Sequence, residues 1–448
     1  MSTASPASFD PSAISAFQFT YHSLAPDGVV RLGYALDDIE FEETITLPAP
    51  AVHSPATPGL LELLHWVAGV SYYKAAIPQH MVCESGAPPA GAERLLSALY
   101  SEGLGEFAVV NGLRQLPHPQ FPRGDEVSVT DAAPQPPRSL LVPVGGGKDS
   151  AVAIEIARAS GLPVTLFSVG DAPPVTATAA VAALPHHIAQ RAIDPALLEL
   201  NERGALNGHV PVTAIISCVA LLVAATQGID VVLMANERSA SAANLRYHGL
   251  EVNHQFSKSR RAERLLAAAA AEIAGAPRIL SVLRPASELA IARAFARMTP
   301  YHQAFTSCNR VFAIDPTRRL QSWCCDCDKC RFVYLILAPF MSPAQLHAIF
   351  AADLLADPAQ YDGFVRLAST DAAKPFECVG EAGESRAAVS LLAQHPQWRE
   401  HANVRRLAAE LLARQPVGEQ EIASYLALSD DHDIPQPLLA AVGEVLGA

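Results

Sequence analysis

The stretch Leu140-Leu-Val-Pro-Val-Gly-Gly-Gly-Lys-Asp-Ser150 joins a short apolar run to three glycines and then to an apolar, helix-like segment. The run predicts a buried strand, and the segment that starts at Asp149 predicts a helix. Glycines let successive backbone N–H groups turn toward one anion, and the helix directs the positive end of its dipole to the same place. Lys148 would add a mobile positive charge. The stretch therefore predicts a pyrophosphate-binding loop, whose candidate contacts are Gly145, Gly146, Gly147, Lys148, Asp149 and Ser150.

The order of residues in this loop differs from that of two common phosphate loops, GxxxxGK[ST] and GxGxxG. It resembles the SGGxDS loop of the PP-loop ATP pyrophosphatases, with Gly145 in place of the first serine. That resemblance implies a core of the adenine nucleotide alpha hydrolase-like type, which cleaves ATP between the α and β phosphates and activates an oxygen as an adenylate. A glycine-rich strand-to-helix turn without a ligand is the alternative.

Short apolar strands and helix-like segments alternate after the loop, at residues 164–169, 210–226, 231–234, 261–274 and 279–283. This alternation predicts an α/β fold, a doubly wound parallel sheet with right-handed crossovers. In such a fold the ligand lies beyond the carboxyl ends of the strands.

The regions on either side differ in pattern. Residues 16–47 alternate apolar and polar side chains, which predicts a small antiparallel sheet, and helix-like patterns follow over 60–73 and 92–111. Prolines cluster before residue 138, and helices are predicted after residue 340, over 343–355, 385–395 and 404–414. We expect a small α+β N-terminal domain (1–115), a Pro-rich linker (116–138), a PP-loop ATP-binding domain with a cysteine cluster (139–340) and a helical C-terminal region (341–448).

Composition narrows the class of function. The chain has 448 residues, half of them hydrophobic, and a net charge of −13. The basic residues are scattered, so nucleic acid is not an expected partner, whereas a small or nucleotide-linked substrate is. The start of the chain does not resemble a signal peptide, and no apolar run approaches the roughly 18 residues that would span a bilayer. We expect a cytoplasmic protein without a membrane partner.

Polar residues follow the strand at 231–234, at the sheet edge that would face a nucleotide. Asn236 and Glu237 are therefore candidate nucleotide contacts, and Glu237 would share Mg²⁺ with Asp149. Arg238 would pair with a phosphate or carboxylate of the substrate. The alternative is a segment whose serine and glutamate only cap a helix.

Five of the eight cysteines lie between residues 308 and 330. Cys308, Cys324, Cys327 and Cys330 have a spacing that suits tetrahedral Zn²⁺, which leaves Cys325 spare. A related zinc-bound cluster occurs in PP-loop enzymes that make deazapurine nitriles. The rival interpretation is that one or two thiols act as acid and base at a carbon centre.

Two further segments carry candidate residues. The Pro/Gly-bounded loop at 374–380 would bring Glu377 or Cys378 to an active site, or would be a loop with a small buried cysteine. Tyr73 and Lys74 end an apolar helix and would form either a substrate wall or a solvated helix end.

Several of these stretches together resemble the MurL family of UDP-N-acetylmuramoyl-L-alanyl-L-glutamate epimerases: residues 68–74, 145–150, 235–241, 307–310, 327–333 and 374–378. The resemblance covers nearly the whole chain. It implies that ATP and Mg²⁺ are used to invert the terminal L-glutamate of a UDP-linked muramoyl dipeptide, with release of AMP and pyrophosphate. It also implies functional coupling to the Mur ligase that adds L-glutamate.

The chemistry that the resemblance implies fits the loop. The Cα–H of a carboxylate is too weakly acidic for an unaided side-chain base, and adenylation removes the negative charge. Lys148, Asp149, Glu377 and Cys378 are the candidate catalytic residues, with Cys325 as an alternative acid or base. The other candidate functions are an ATP-dependent ligase or amidotransferase of the same fold, and a nucleotide sensor that binds ATP without turnover.

Overall fold

The computed structural model describes residues 8–49, 52–127, 135–313, 316–371 and 373–447. The chain is mixed α/β, with a large, mostly parallel sheet and helices. The strands of the described residues are β1 (Ala16–Leu24), β2 (Val29–Leu36), β3 (Ile39–Thr46), β4 (His80–Cys83), β5 (Leu140–Pro143), β6 (Val164–Val169), β7 (His186–Ala192), β8 (Val231–Met234), β9 (Leu245–Tyr247), β10 (Leu250–Val252) and β11 (Arg278–Ser281). Nine of them form one sheet in the order β11-β8-β5-β6-β7-β3-β2-β1-β4, and β9 pairs with β10.

Helices lie at each segment for which the sequence predicted one, and further helices lie between and beyond those segments. As far as the chain is described, they are α1 (Thr57–Ala68), α2 (Val70–Tyr73), α3 (Ala90–Ser101), α4 (Gly105–Val110), α5 (Lys148–Ala159), α6 (Pro173–Ala182), α7 (Pro195–Glu202), α8 (Val212–Gln227), α9 (Arg260–Ala271), α10 (Glu288–Phe295), α11 (Asp328–Leu337), α12 (Pro343–Phe350), α13 (Tyr361–Ala368), α14 (Ala382–Gln394), α15 (Ala402–Leu407), α16 (Glu419–Leu426) and α17 (Gln436–Gly447). A π-helical turn, Ala408–Leu412, continues α15.

The antiparallel pairing predicted for residues 16–47 is confirmed, since β1, β2 and β3 pair in succession. The predicted sheet is larger than expected, because β3 also pairs with β7, with Thr44 opposite Ala192, and the three strands belong to the nine-stranded sheet. Alternation within one segment reports its own periodicity but not a partner strand far along the chain. Part of the predicted linker, residues 128–134, lies outside the described residues.

The strands at 164–169 and 231–234 have the predicted bounds, and β8 pairs in parallel with β5, with Leu140 opposite Val231. The apolar segment at 210–226 is the helix α8. Most of its side chains are buried, so it lacks the polar stripe that marks a helix at a surface. The doubly wound topology and the PP-loop type of the core stay predictions.

The chain divides into two compact units. The first comprises residues up to 141 together with 187–232 and 246–279, and the second comprises 142–186, 233–245 and 280 onward. An aromatic cluster forms the core of the first unit, with ring centroids 4.8 to 6.0 Å apart: Phe17, Phe19, Tyr34, Tyr72, Tyr73 and Tyr100. In the second unit, α10 and α11 are almost wholly buried. No helix in the described ranges is both long enough and apolar enough to cross a bilayer.

Candidate active site

The glycine loop lies between β5 and α5, in the second unit. Gly146 has a φ of +79°, and a Cβ at this position would lie 2.7 Å from the backbone of Pro174. A Cβ on Gly147 would lie 2.8 Å from Ser307 Oγ. No side-chain hydrogen bond caps the start of α5, whose first N–H groups have no partner within the helix. The backbone therefore suits an anion at this helix N-terminus.

Gly145 and Ser150 brace the loop. The Gly145 N–H donates to Ser150 Oγ at 2.9 Å, and the Gly146 carbonyl accepts from the Thr306 N–H at 2.9 Å. A Cβ on Gly145 would approach only Ser150 Oγ, at 3.8 Å, which is an ordinary contact. A side chain would therefore fit at position 145, where a glycine replaces the serine of the PP-loop pattern.

Lys148 is buried, with 1% of its side chain exposed. Its Nζ lies 2.5 Å from Asp149 Oδ1 and also pairs with the Glu288 carboxylate. Burial acts to lower the pKa of Lys148, but the two carboxylates outweigh it and hold the pKa above its ordinary value. The prediction of a mobile charge is wrong, because a buried ammonium group is stable only when it is paired.

The segment that follows β8 is buried at Asn236 and Glu237. The Glu237 carbonyl accepts from Arg284 Nη1 at 2.6 Å, and the Glu237 side chain caps nothing. Ser239 Oγ donates to Glu384 at 2.9 Å. The capping alternative is therefore wrong for this glutamate, whereas Ser239 Oγ also accepts from the Glu288 N–H at the start of α10, at 3.4 Å. Arg238, the candidate substrate contact, already uses one guanidinium nitrogen, since its Nη2 donates to the Ser424 carbonyl at 3.2 Å.

The two candidate magnesium ligands, Asp149 and Glu237, share an environment, since both carboxylates act on the pKa of Glu288. Within the described ranges neither belongs to a set of three or more potential ligand atoms that lie within 4.8 Å of one another. A role of these two carboxylates as magnesium ligands stays a prediction.

A lysine and two glutamates that the sequence did not single out lie in the same unit. The Nζ of Lys374 is buried and has no hydrogen-bond partner among the described residues. Burial lowers the pKa of Lys374, opposed by the charges of Glu384, Glu237, Glu381 and Glu288. A buried amine whose pKa is lowered, with acids around it, is suited to moving protons.

Glu288 and Glu384 are almost completely buried. The Glu384 carboxylate accepts from Ser239 Oγ at 2.9 Å and from the Glu381 N–H at 2.7 Å. Burial, with the charge of Glu288, raises the pKa of Glu384 to about 7. Both glutamates lie in the first turn of a helix, where acids are common for local reasons, so the sequence carried no signal of their burial.

The loop at 374–380 is fastened to α11. Glu377 Oε2 accepts from the Lys329 N–H at 2.8 Å, and Lys329 Nζ donates to the Cys378 carbonyl. Burial raises the pKa of Glu377, whose charge in turn acts on Cys327. Glu377 and Cys378 are both half-buried. The segment therefore links Lys374 to the cysteine cluster.

Cys308, Cys324, Cys327 and Cys330 come together, with their sulfur atoms within 4.8 Å of one another. The Asp326 N–H donates to Cys324 Sγ, and the Cys330 N–H donates to Cys327 Sγ, each at 3.4 Å. Hydrogen bonds from the Cys327 and Cys330 thiols hold the pKa of Cys308 far below its ordinary value. Four sulfurs that gather in this way, with backbone N–H donors to two of them, fit a tetrahedral thiolate site.

Cys325 lies outside the group of four. Its φ is +56°, and its Sγ donates to the Phe350 carbonyl at 3.2 Å. Burial raises the pKa of Cys325 to about 11, so the group is a neutral thiol at neutral pH. This disfavours Cys325 as the alternative base, because the thiolate is the reactive form.

Tyr73 and Lys74 are buried in the first unit. The Tyr73 ring packs against Tyr100, while Lys74 Nζ donates to Asn207 Oδ1. Burial lowers the pKa of Lys74 to about 8. The alternative of a solvated helix end is therefore wrong, and a role in substrate binding stays a prediction.

Comparison with known proteins gives one family for most of the chain. Residues 8–279 match the family described as the MurL N-terminal domain, and residues 304–422 match the MurL C-terminal domain. Three similar proteins share the name UDP-N-acetyl-alpha-D-muramoyl-L-alanyl-L-glutamate epimerase. The Micromonospora sp. protein is 43% identical over 95% of this chain and 94% of its own length. The Salinispora tropica protein is 45% identical over 88% and 85%, and the Xanthomonas oryzae pv. oryzae protein is 40% identical over 96% and 97%. No solved structure matches the chain.

Proposed function

Because the chain belongs to the MurL family and is an epimerase, hence an isomerase, we propose a specific reaction for it. It inverts the terminal L-glutamate of UDP-N-acetylmuramoyl-L-alanyl-L-glutamate, and it consumes ATP to do so. The epimerised substrate is the one in the names of its relatives. A Mur ligase that adds L-glutamate would supply it. The observation that carries the proposal of ATP use is the glycine loop at the uncapped start of α5.

ATP would supply activation of the glutamate α-carboxylate as an acyl adenylate, with AMP and pyrophosphate as the final products. The backbone N–H groups of Gly146 and Gly147 and the start of α5 would hold the phosphates, and Asp149 and Glu237 would hold Mg²⁺. Loss of the anionic charge acidifies the Cα–H. The neighbouring amide oxygen of the N-acylated glutamate would attack the activated carbonyl and displace AMP, and the Cα–H of the resulting oxazolone would be more acidic still. Hydrolysis of the oxazolone by water would restore the free carboxylate.

Inversion then requires a group that removes the proton from one face of Cα and a group that returns a proton to the other face. We propose Lys374 as one of them, because its buried amine has a lowered pKa and no hydrogen-bond partner among the described residues. Glu377 and Cys378, three and four residues further along the same loop, are the candidates for the second group. Glu377 has a raised pKa, which suits a proton donor.

The test is incubation of the protein with ATP, Mg²⁺ and the UDP-muramoyl dipeptide in D2O, followed by hydrolysis and chiral analysis of the glutamate by mass. D-Glutamate that carries one deuterium, with an equal amount of AMP, is the expected result. Recovery of unlabelled L-glutamate would contradict the proposal. Oxygen-18 placed in the substrate carboxylate should appear in AMP, and its absence there would exclude the adenylate.

The same incubation separates the two other candidate functions. An ATP-dependent ligase or amidotransferase would form product only with added ammonia or amine, whereas the epimerase forms D-glutamate without it. A nucleotide sensor would bind ATP but release no pyrophosphate when the dipeptide is added.

The loop itself can be tested with two alanine substitutions. Gly146→Ala is expected to lower pyrophosphate release by about 100-fold, an effect on the scale of lost transition-state hydrogen bonds. Gly146 has a φ of +79°, and the added Cβ would lie 2.7 Å from the Pro174 backbone, so the loop has to shift. Gly145→Ala is the matched control, since its Cβ would meet only Ser150 Oγ, at 3.8 Å. Equal activity of both variants would contradict the assignment of the loop.

We further propose that the four clustered cysteines hold a structural Zn²⁺. Replacement of Cys308, Cys324, Cys327 or Cys330 with serine, one at a time, should release zinc and lower the melting temperature, because metal binding adds directly to folding free energy. Cys325→Ser is the matched control and should keep its zinc. Zinc content measured by atomic mass spectrometry checks this. Loss of zinc from Cys325→Ser alone would overturn the assignment.

A further inference from the structure

A second set of metal-ligand side chains lies in the first unit, and nothing in the proposed reaction uses it. Glu106, His209 and His254 each offer a ligand atom, and these atoms lie within 4.8 Å of one another. Glu106 is on α4, His209 precedes α8 and His254 follows β10, so three separate parts of the chain meet here. The side chains are 15%, 24% and 11% exposed, respectively.

Glycines allow these three parts of the chain to approach. A Cβ on Gly105, next to Glu106, would lie 3.1 Å from Val252 Cγ1. A Cβ on Gly208, next to His209, would lie 3.3 Å from the Phe107 ring. The Gln255 N–H donates to Asn253 Oδ1 at 2.8 Å, which fixes the turn that presents His254.

The spacing of one pair of ligand atoms, on His209 and Glu106, suits a single small ion, while Glu106 and His254 are hydrogen-bonded to each other in this structure. His209 Nδ1 lies 3.7 Å from Glu106 Oε2, and the same carboxylate oxygen pairs with His254 Nδ1. In a tetrahedral site with bonds of about 2.1 Å, two ligand atoms are about 3.4 Å apart. The two imidazole rings lie 4.4 Å apart at their centroids, and the His209 ring also hydrogen-bonds to the His254 backbone. A backbone partner of this kind commonly orients a metal-binding histidine.

We propose that Glu106, His209 and His254 bind Zn²⁺ with a fourth position open to water or to an anionic ligand. Two imidazoles and one carboxylate form a ligand set that zinc favours, whereas Mg²⁺ and Ca²⁺ prefer oxygen ligands. Three protein ligands leave one tetrahedral position free, unlike the four thiols of the cysteine cluster. The site lies wholly within the first unit and does not depend on the proposed reaction.

Zinc counting tests the proposal on the full chain. The protein is loaded with zinc, dialysed and analysed by atomic mass spectrometry, and the result is compared for wild type, His209→Ala, Glu106→Gln and an exposed-histidine control, His118→Ala. His209→Ala and Glu106→Gln should each bind one zinc fewer than wild type, with affinity at this site reduced by more than about 100-fold. His118→Ala should match wild type. Equal zinc content in His209→Ala and wild type would overturn the proposal and leave a hydrogen-bonded His–Glu–His cluster.

Cobalt(II) substitution separates this site from the cysteine cluster. Only the cysteine cluster gives the thiolate-to-cobalt charge-transfer absorption, so His209→Ala should lose bound cobalt without losing that band. A band that falls in proportion to the bound cobalt would mean that the substitution acts on the cysteines, and the proposal would be wrong.

Discussion

Replacing Lys148 with methionine is expected to destabilise the protein by about 3–5 kcal/mol, the cost of breaking a buried ion pair from one side. The substitution removes the cation but leaves Asp149 and Glu288 in place, and Glu288 is only 2% exposed. We also expect Lys148→Met to abolish ATP-dependent epimerisation, because the loop is then flanked by uncompensated negative charge. Urea denaturation and pyrophosphate release measure the two effects.

The double variant Lys148→Met/Glu288→Gln separates stability from catalysis. Removing the second charge should restore most of the lost free energy of unfolding, since a neutral buried pair no longer contains an unpaired ion. Activity should not return if Lys148 stabilises departing pyrophosphate. A double variant as unstable as Lys148→Met would mean that the ion pair is not the source of the loss.

The pH dependence of this contribution follows from its sign. Because the pKa of Lys148 is held above its ordinary value, its stabilising contribution is complete below about pH 10.4 and is lost only at more alkaline pH. Lys148 should therefore stay charged in both the folded and the unfolded protein between pH 6 and about pH 9. Its titration should not change the difference in unfolding free energy between wild type and Lys148→Met in this range.

The glycine loop and the strands beside it could be predicted because their signals are local. Three glycines after an apolar run fix where β5 ends and α5 begins, and the bounds of β6 and β8 follow from short apolar runs between polar residues. The C-x2-C spacing brings Cys324, Cys327 and Cys330 close together on a turn. Only Cys308 comes from a more distant part of the sequence.

The burial of Lys148 could not be predicted, because its partner Glu288 lies 140 residues away. The pairing of β3 with β7 joins residues 148 positions apart, as in Thr44 and Ala192, and no local pattern reports it. The sequence placed Lys374 in a loop with candidate catalytic residues. The lowered pKa that distinguishes Lys374 arises from burial, which the sequence does not report. Tertiary contacts of this kind decide which of several polar residues in a motif becomes reactive.

Replacing Lys374 with methionine is expected to slow deuterium exchange at the glutamate Cα by roughly 10²–10⁴-fold, the usual effect of losing a general base. The protein should be as stable as wild type or more stable, because the change removes a buried amine whose Nζ has no hydrogen-bond partner among the described residues. The folded-state pKa of Lys374 is lowered, so its charge opposes folding at neutral pH, and the gain in Lys374→Met should disappear above about pH 10.4. Exchange rates on the UDP-muramoyl dipeptide at saturating ATP, with urea denaturation, measure both.

Lys374→Arg decides whether the amine acts as a base or only as a charge. Arginine keeps the positive charge but does not deprotonate in proteins, so it cannot accept the Cα proton. If Lys374 is the base, Lys374→Arg should exchange as slowly as Lys374→Met, and the wild-type rate should rise with pH through the lowered pKa of Lys374. Near-wild-type exchange in Lys374→Arg would instead assign the lysine to neutralising the surrounding carboxylates. The base would then have to be sought at Glu377 or Cys378, where Glu377→Gln and Cys378→Ser provide the same comparison.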